Sequence, residues 1–261
     1  MTLLSLGQKG KNNVTSFDIE DFNKKFEVAE WLCKYDMIAW WTSDSAMTQD
    51  KKEIERLGKE WFCFQDQSYV WHAVYGKYEN GIFDLVFHFT VDINSKVKRI
   101  YDKVDTILLN SYSRALITAN NQINEVSNTN NLRFNQFIKQ NENNTFSVWI
   151  FPAFQPNSTA VYGGEFIYII DNSGTKILSN QSYFQGDFRG FKVDEPREIW
   201  LNYRDTEKPT LGAIFFVWYY KQYFTSIYID CSKSNSTAFK HEDNTYTWIH
   251  AVKEPKNKKD K

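Results

Sequence analysis

Apolar residues recur at helical spacing close to the start of the chain. Ser16 or Asp18 can cap a helix there, because a short polar side chain accepts a hydrogen bond from the first free backbone amides. The spacing of three and four residues that follows predicts one apolar helix face, formed by Phe22, Phe26, Ala29 and Leu32. A second, shorter helix is predicted from Gln49 to Gly58, since glycine commonly ends a helix.

The pattern then changes to alternation with a period of two, which is typical of strands. It runs through Trp61–Phe64, Tyr69–Tyr75 and Ile82–Val91, and Asn80-Gly81 before the last run is a strong hairpin signal. We therefore predict a three-stranded antiparallel meander. Strict alternation along its last strand places one apolar set on a single face, namely Phe83, Leu85, Phe87, Phe89 and Val91.

A long amphipathic helix is predicted after the meander, from Ser95 to about Val126, where apolar residues return to helical spacing. We expect it to lie across one face of the sheet. Residues 120–145 contain ten asparagines in 26 positions, which favours a linker. The apolar residues between Leu132 and Ile138 suggest a short anchored helix within that linker.

The second half of the chain is predicted to be rich in strands. Asp-Asn-Ser-Gly at 171–174 has the residues that a hairpin turn needs. Pro209 suits the first turn of a helix that runs toward Tyr223, and a strand in this stretch is the alternative. The predicted strands are Phe146–Phe151, Val161–Ile170, Lys176–Leu178, Arg197–Tyr203, Thr225–Ile229 and Tyr246–Val252.

These patterns predict an α+β fold with antiparallel β meanders, a long amphipathic helix and two β-rich halves joined by the Asn-rich segment. A chain of 261 residues fits one large domain or two modest ones. The predicted organisation is a disordered lead-in over 1–16, an N-terminal α+β domain over 17–126, an Asn-rich linker over 127–145, a C-terminal β-rich domain over 146–252 and a basic tail over 253–261.

Composition and charge exclude several classes of protein. The chain has 31 Lys and Arg against 32 Asp and Glu, so it lacks the basic excess of a nucleic-acid binder and no nucleic-acid partner is expected. A hydrophobic content of 42% argues against wholesale disorder. The longest apolar stretch, Leu211–Phe224, is interrupted by Gly212 and Lys221 and falls short of the ~20 residues of a membrane helix, so no membrane span is predicted.

The N-terminal sequence lacks the basic region of a secretory signal, so as written the protein is predicted to be cytoplasmic. Ser5-Leu6-Gly7 has the small-x-small form of a cleavage site, and export of a protein whose signal was truncated is therefore the alternative. Three cysteines without a CxxC pair favour free thiols over a disulfide framework, and one bridge stays open for an exported protein.

Histidines are the first candidates for chemistry, and His72 and His88 lie on adjacent predicted strands. A two-residue turn at Asn80-Gly81 would place His72 opposite Phe89, with the two imidazoles on opposite faces. A three-residue loop would place His72 directly across from His88. With Asp84, or with Glu165 after its glycine pair, such a histidine pair could act in a hydrolase, and this is the alternative function. No metal or cofactor is predicted, because no ligand motif or nucleotide-binding motif is present.

Aromatic residues make up 17% of the chain, and one segment combines them with glycines and charges. Ser182–Phe191 reads as a loop whose rings supply contact area and whose arginine supplies directional hydrogen bonds. The competing interpretation is a core loop plugged by aromatic rings and held by an Asp187–Arg189 interaction. The candidate binding residues are Tyr183, Phe184, Asp187, Phe188 and Arg189, together with Trp40 and Trp41 from the surplus of nine tryptophans.

The absence of a catalytic motif and the surplus of aromatic residues together predict a non-catalytic binding or interaction protein. Its expected partner is a protein or an extended ligand, and a homo-oligomer that buries the same aromatic residues is also possible.

Overall fold

The structure, a computed structural model, describes residues 16–254, and the chain folds as the predicted α+β type. The predicted lead-in up to residue 15 and the basic tail from residue 255 lie outside the described residues. Within residues 16–254, no helix is long and apolar enough to cross a membrane.

The first helix, α1, runs from Ile19 to Met47. The carboxylate of Asp18 accepts the Asp21 amide at 3.1 Å, so Asp18 is the cap, and Glu20 lies in the first turn, where a negative charge favours the helix dipole. The predicted apolar face is directed inward. The second helix, α2, spans only Lys51–Ile54.

The predicted meander is present and continues into a fourth strand. Its strands are β1 (Glu60–Gln65), β2 (Trp71–Glu79), β3 (Ile82–Val91) and β4 (Val97–Ile100), in that spatial order. The prediction of a helix from Ser95 was wrong at its start, because β4 pairs with β3 and the helix, α3, begins at Thr106.

The physical reason is the turn before β4. The Asp92 carboxylate accepts the amides of Asn94 and Lys96, both at 2.9 Å, and Ser95 adopts a left-handed φ of 65°. These interactions reverse the chain, so the residues that follow pair with β3 instead of starting a helix.

A β-bulge overturns the predicted single apolar face of β3. Tyr75 pairs with Phe87 but Gly76 pairs with Leu85, so Val86 has no partner in β2. Because of this extra residue, the odd-numbered residues after Val86 point to the opposite face of the sheet from the odd-numbered residues before it. Phe83 therefore packs in one core, whereas Phe87, Phe89 and Val91 pack in another on the opposite face of the sheet.

The Asn-rich segment is largely regular structure. Helix α3 extends to Asn130 and ends at Asn131, whose φ of 49° is left-handed. The short helix predicted near Phe137 was wrong, because Phe134–Gln140 is strand β5, paired with β6 (Phe146–Pro152). Adjacent Phe137 and Ile138 face opposite cores, which a strand allows and a helix does not. The division into two domains stays a prediction.

The second sheet continues with two long strands, β7 (Thr159–Ile170) and β8 (Ile177–Lys192), in the order β5-β6-β7-β8. Strand β1 of the first sheet lies beside β5. Helix α3 packs on one side of these two sheets, in a core that it shares with both of them.

The third sheet contains β9 (Glu198–Tyr203), β10 (Ser226–Cys231), β11 (Ser234–Lys240) and β12 (Tyr246–Val252). Helix α4 (Leu211–Tyr220) and a 3₁₀ turn (Lys221–Tyr223) connect β9 to β10, so these two strands are parallel, unlike the predicted antiparallel arrangement. Strand β11 was not predicted. The core that contains Phe87, Phe89 and Val91 also contains residues of α1, α4 and all three sheets.

Candidate functional site

The two-residue turn predicted at Asn80-Gly81 is present, since Glu79 pairs with Ile82 and Gly76 with Leu85. Beyond the bulge the register shifts, and the two candidate histidines meet in a pairing that neither prediction gave. Because of the bulge at Val86, His72 pairs with Thr90 and His88 pairs with Val74, which makes the histidines diagonal neighbours on the same face. His72 Nδ1 lies 2.8 Å from His88 Nε2, and His72 Nε2 lies 3.3 Å from Asp66 Oδ2. The three side chains therefore form a chain from the surface into the core.

Burial controls the electrostatics of this histidine chain. His88 is only 6% exposed, and burial together with the neighbouring His72 lowers its pKa to about 4. Burial by itself raises the pKa of Asp66, but hydrogen bonds from the Val70 amide and His72 outweigh it, so the net shift is downward. A neutral His72 can bridge its two neighbours only by donating on one side and accepting on the other.

The two carboxylates predicted to serve this histidine pair lie elsewhere. Asp84 is exposed and forms an ion pair with Arg56 at 3.2 Å. Glu165 is 5% exposed and accepts the Gly212 amide at the start of α4. Burial raises the pKa of Glu165 to about 7, although Thr210 and Gly212 lower it in part. A β-carbon on Gly212 would lie 2.7 Å from the Glu165 carboxylate, so only glycine allows this approach. Glu165 therefore anchors α4.

The side chains of residues 16–254 contain no group of three or more His, Cys, Asp and Glu residues arranged to hold a metal ion. All three cysteines are free thiols. Burial raises the pKa of Cys33 to about 12, so this thiol is not an activated nucleophile.

The segment predicted as a binding loop is instead part of the edge strand β8. Its ladder with β7 shifts between Tyr162, opposite Arg189, and Gly164, opposite Phe184. The intervening residues of β8 form a bulge. Gly163 and Gly186 allow it by adopting left-handed φ values of 98° and 80°.

The aromatic rings of this segment pack against the protein body. Tyr183 stacks on Tyr203 and donates a hydrogen bond of 2.6 Å to Asp205, and Phe188 lies over Gly164, where a β-carbon would be 2.4 Å from its ring. Phe184 contacts Phe188 at a centroid distance of 4.8 Å. Asp187 and Arg189 are exposed, and the described ion pairs do not include one between them.

The two candidate tryptophans differ in their surroundings. Trp40 is 63% exposed on α1. Trp41 is half-buried against the core, with Lys34 Nζ 5.4 Å from its ring centre. Trp40 is therefore the candidate that presents its ring to solvent.

Trp40 separates two cavities, and both are also lined by Asp36. The first cavity, of about 340 Å³, is completed by Ala39, Ser43, Trp61, Tyr75 and Asn135. The second, of about 320 Å³, is completed by Cys33, Met37, Phe154, Tyr219, Tyr220, Gln222 and Tyr223. We call these the Trp61 cavity and the Tyr223 cavity. Each is of the size that small ligands or side chains occupy.

Asp36 forms the polar element shared by the two cavities. It is 8% exposed, and its carboxylate accepts hydrogen bonds from the Tyr219 hydroxyl at 2.5 Å and the Asn135 amide at 3.4 Å. Burial raises the pKa of Asp36, and hydrogen bonds from Tyr219 and from Trp40 oppose the shift. No lysine or arginine of the described chain forms an ion pair with it.

Sequence reasoning missed Asp36, although a signal for it exists. Asp36 follows Leu32 by four residues, so it continues the apolar face of α1 at helical spacing. A carboxylate on a buried helix face needs a partner, and here the partner is Tyr219, 183 residues away in sequence.

No protein-family model, curated protein or solved structure matches this chain.

The first prediction separates packing from binding in β8. Phe188→Ala should lower the free energy of unfolding by about 2 kcal/mol, because the ring fills the space over Gly164. Its exposed neighbour Arg189 serves as the control. The free energy of unfolding of Arg189→Ala should stay within about 0.5 kcal/mol of the wild-type value. Urea denaturation of the three proteins measures both values. Equal stability of all three proteins would contradict a packing role for Phe188.

The second prediction concerns the pH dependence of stability. In the unfolded chain Glu165 has a pKa of about 4.3, below its folded value of about 7, so the folded state binds the proton more tightly. The resulting stabilisation is present in acid and is lost as the pH rises through about 7. Relative to Glu165→Gln, the wild type should lose about 3 kcal/mol between pH 4 and pH 8. Denaturation curves across this range test it, and parallel profiles for the two proteins would contradict it.

Proposed function

We propose that this is a non-catalytic binding protein whose ligand-binding surface is formed by Trp40 and the two cavities beside it. The observation that carries the proposal is the exposed ring of Trp40 between two aromatic cavities that share one buried carboxylate. Ligand sites are typically concave and mostly apolar, with a few polar groups that orient the ligand. The surroundings of Trp40 have this composition.

The energetics of recognition are favourable at this surface. A tryptophan at the rim supplies a large contact area with little loss of side-chain entropy, and tryptophan is common among residues that dominate binding energy. The surrounding rings of Trp61, Tyr75 and Tyr223 belong to folded elements, so the site needs little ordering when a ligand binds.

Two cavities on either side of one ring suit an extended ligand or a peptide segment that reaches both. The described residues that line them include one carboxylate and no histidine, and the single thiol has a raised pKa. This composition supports binding without catalysis. The cytoplasmic location and the possible homo-oligomer stay predictions.

The proposal is tested by a fragment screen observed by NMR, with cationic, anionic, aromatic and aliphatic fragments. We expect at least one class of fragment to bind the wild type and to lose about 10-fold in affinity in Trp40→Ala, which corresponds to the ~1.4 kcal/mol expected for loss of an aromatic contact. Trp200→Ala is the matched control, since Trp200 is 55% exposed on the third sheet. If every fragment binds Trp40→Ala as well as it binds the wild type, the proposal is wrong.

A second candidate function is hydrolysis at the histidine chain, favoured by the 2.8 Å contact between His72 and His88. The carboxylate at this site is Asp66, instead of Asp84 or Glu165 as first expected. Asp66 also lines a cavity of about 310 Å³ with Phe64 and Tyr112. A chain of acid and base groups that ends at a cavity resembles the arrangement in which general acid–base catalysis occurs.

Hydrolysis is tested with reporter esters, amides and phosphoesters. If the histidine chain is catalytic, His72→Gln should lower the rate by at least about 100-fold, the usual contribution of a general base. His241→Gln is the control, because His241 lies at an exposed turn and bonds only Thr247 through its ring. Wild-type protein that hydrolyses none of the reporters, or a His72→Gln variant with unchanged rates, would rule this function out.

A further inference from the structure

We propose that the Tyr223 cavity binds an alkylated ammonium group, so that the ligand of this protein is an organic cation. This inference rests on the proposed function, because it identifies the chemistry of the ligand at the same surface. The walls of the cavity, its charge and its hydrogen-bonding capacity all favour this class of ligand.

The walls of the cavity are aromatic on several sides. Phe154 stacks with Tyr223 at a centroid distance of 6.3 Å and lies 6.0 Å from Tyr220. Tyr219 and Tyr220 are nearly perpendicular, at 84°, and Trp40 forms the outer rim. The π face of an aromatic ring carries negative electrostatic potential and attracts a cation within about 6 Å. Rings at several orientations around one cavity can contact a roughly spherical cation from several directions.

The charge of the lining groups also favours a cation. Asp36 is the only charged side chain among the described lining residues of the Tyr223 cavity. Lys34, two residues before Asp36, has its Nζ 5.4 Å from the ring centre of Trp41, and Lys221, directly after α4, has its Nζ 2.9 Å from the ring centre of Trp218. Neither forms an ion pair with Asp36 in the described chain. A buried carboxylate without a basic partner is costly, and a bound cation would supply the missing counter-charge.

The hydrogen-bonding capacity distinguishes an alkylated from an unsubstituted ammonium. The Asp36 oxygens already accept hydrogen bonds from Tyr219 and Asn135, and ring faces accept hydrogen bonds only weakly. An unsubstituted ammonium would bring three N–H donors into this cavity, where the neutral acceptors of the lining are Gln222 and the tyrosine hydroxyls, and each donor left unpaired costs free energy. A quaternary ammonium has no N–H donor, so it gains the electrostatic attraction without that cost.

The two cavities divide the recognition of one ligand between them. The Tyr223 cavity would hold the cationic group, and the Trp61 cavity, on the other side of Trp40, would accept the rest of the molecule. Its lining includes Ser43 and Asn135, which offer hydrogen bonds to a polar substituent. Asp36 faces both cavities, so its charge acts on the ligand across Trp40.

The test compares probes that differ only in charge and alkylation. Choline is titrated against the full-length protein beside 3,3-dimethyl-1-butanol, its neutral isostere, and ethanolamine, its unmethylated analogue, with NMR shifts as the readout. Choline should bind at least about 10-fold more tightly than either analogue. Equal affinity for choline and its neutral isostere would overturn the inference.

Two variants identify the groups responsible. Asp36→Asn should lower the affinity for choline about 10-fold and leave the affinity for the neutral isostere unchanged. Trp40→Ala should lower the affinity for both probes. Trp200→Ala should leave all affinities unchanged. If Asp36→Asn does not fold, the comparison of the three probes on the wild type and on Trp40→Ala decides the inference.

The results also separate this inference from the proposed function. If neutral or anionic fragments bind in a Trp40-dependent way and choline does not, the cation inference fails and the binding function stands. If no probe or fragment depends on Trp40, both fail. If choline binds Trp40→Ala and Asp36→Asn as tightly as it binds the wild type, the Tyr223 cavity is not its binding site.

Discussion

The packing of α4 against α1 is the contact on which the candidate site depends. Helix α4 is apolar nearly all round, with Leu211, Ala213–Val217 and Tyr220 buried, so it has to be covered on several sides. Helix α1 and strand β7 are among the elements that cover it. This packing brings the hydroxyl of Tyr219 to the carboxylate of Asp36, and their hydrogen bond positions the carboxylate beside Trp40. Without the contact between the helices, neither cavity would have its shared polar group.

Two buried carboxylates lie along α4, and their surroundings explain why only one is proposed to bind a ligand. Burial raises the pKa of both Glu165 and Asp36. Glu165 is enclosed, and the amide of Gly212 at the helix N-terminus satisfies it, so its contribution is structural. Asp36 is open to two cavities and lacks a basic partner within residues 16–254. Both carboxylates have a desolvation cost, which the Gly212 amide offsets at Glu165 and which a cationic ligand is proposed to offset at Asp36.

The histidine pair shows how a single residue changes a site. Turn chemistry at Asn80-Gly81 predicted two possible registers, and Val86 introduces a third through its bulge. The bulge lets β3 contribute Phe83 to one core and Phe87 to the other, so packing on both faces of the sheet selects it. The diagonal contact of His72 and His88 follows from that choice. A hairpin considered alone contains no information about the second core.

The sequence by itself determined the features that depend on neighbours along the chain. The capped apolar period of α1, the alternation of β1 to β3 and the turn residues between strands indicated the α+β class, because these signals act within a few residues. Only the tertiary structure decided that Phe134–Gln140 is a strand, that the aromatic rings of β8 are half-buried against neighbouring rings, and that Asp36 meets Tyr219. Each of these depends on partners distant in sequence, and the periodicity of one element, such as the helical spacing that places Asp36 on the buried face of α1, does not identify the distant element that it meets.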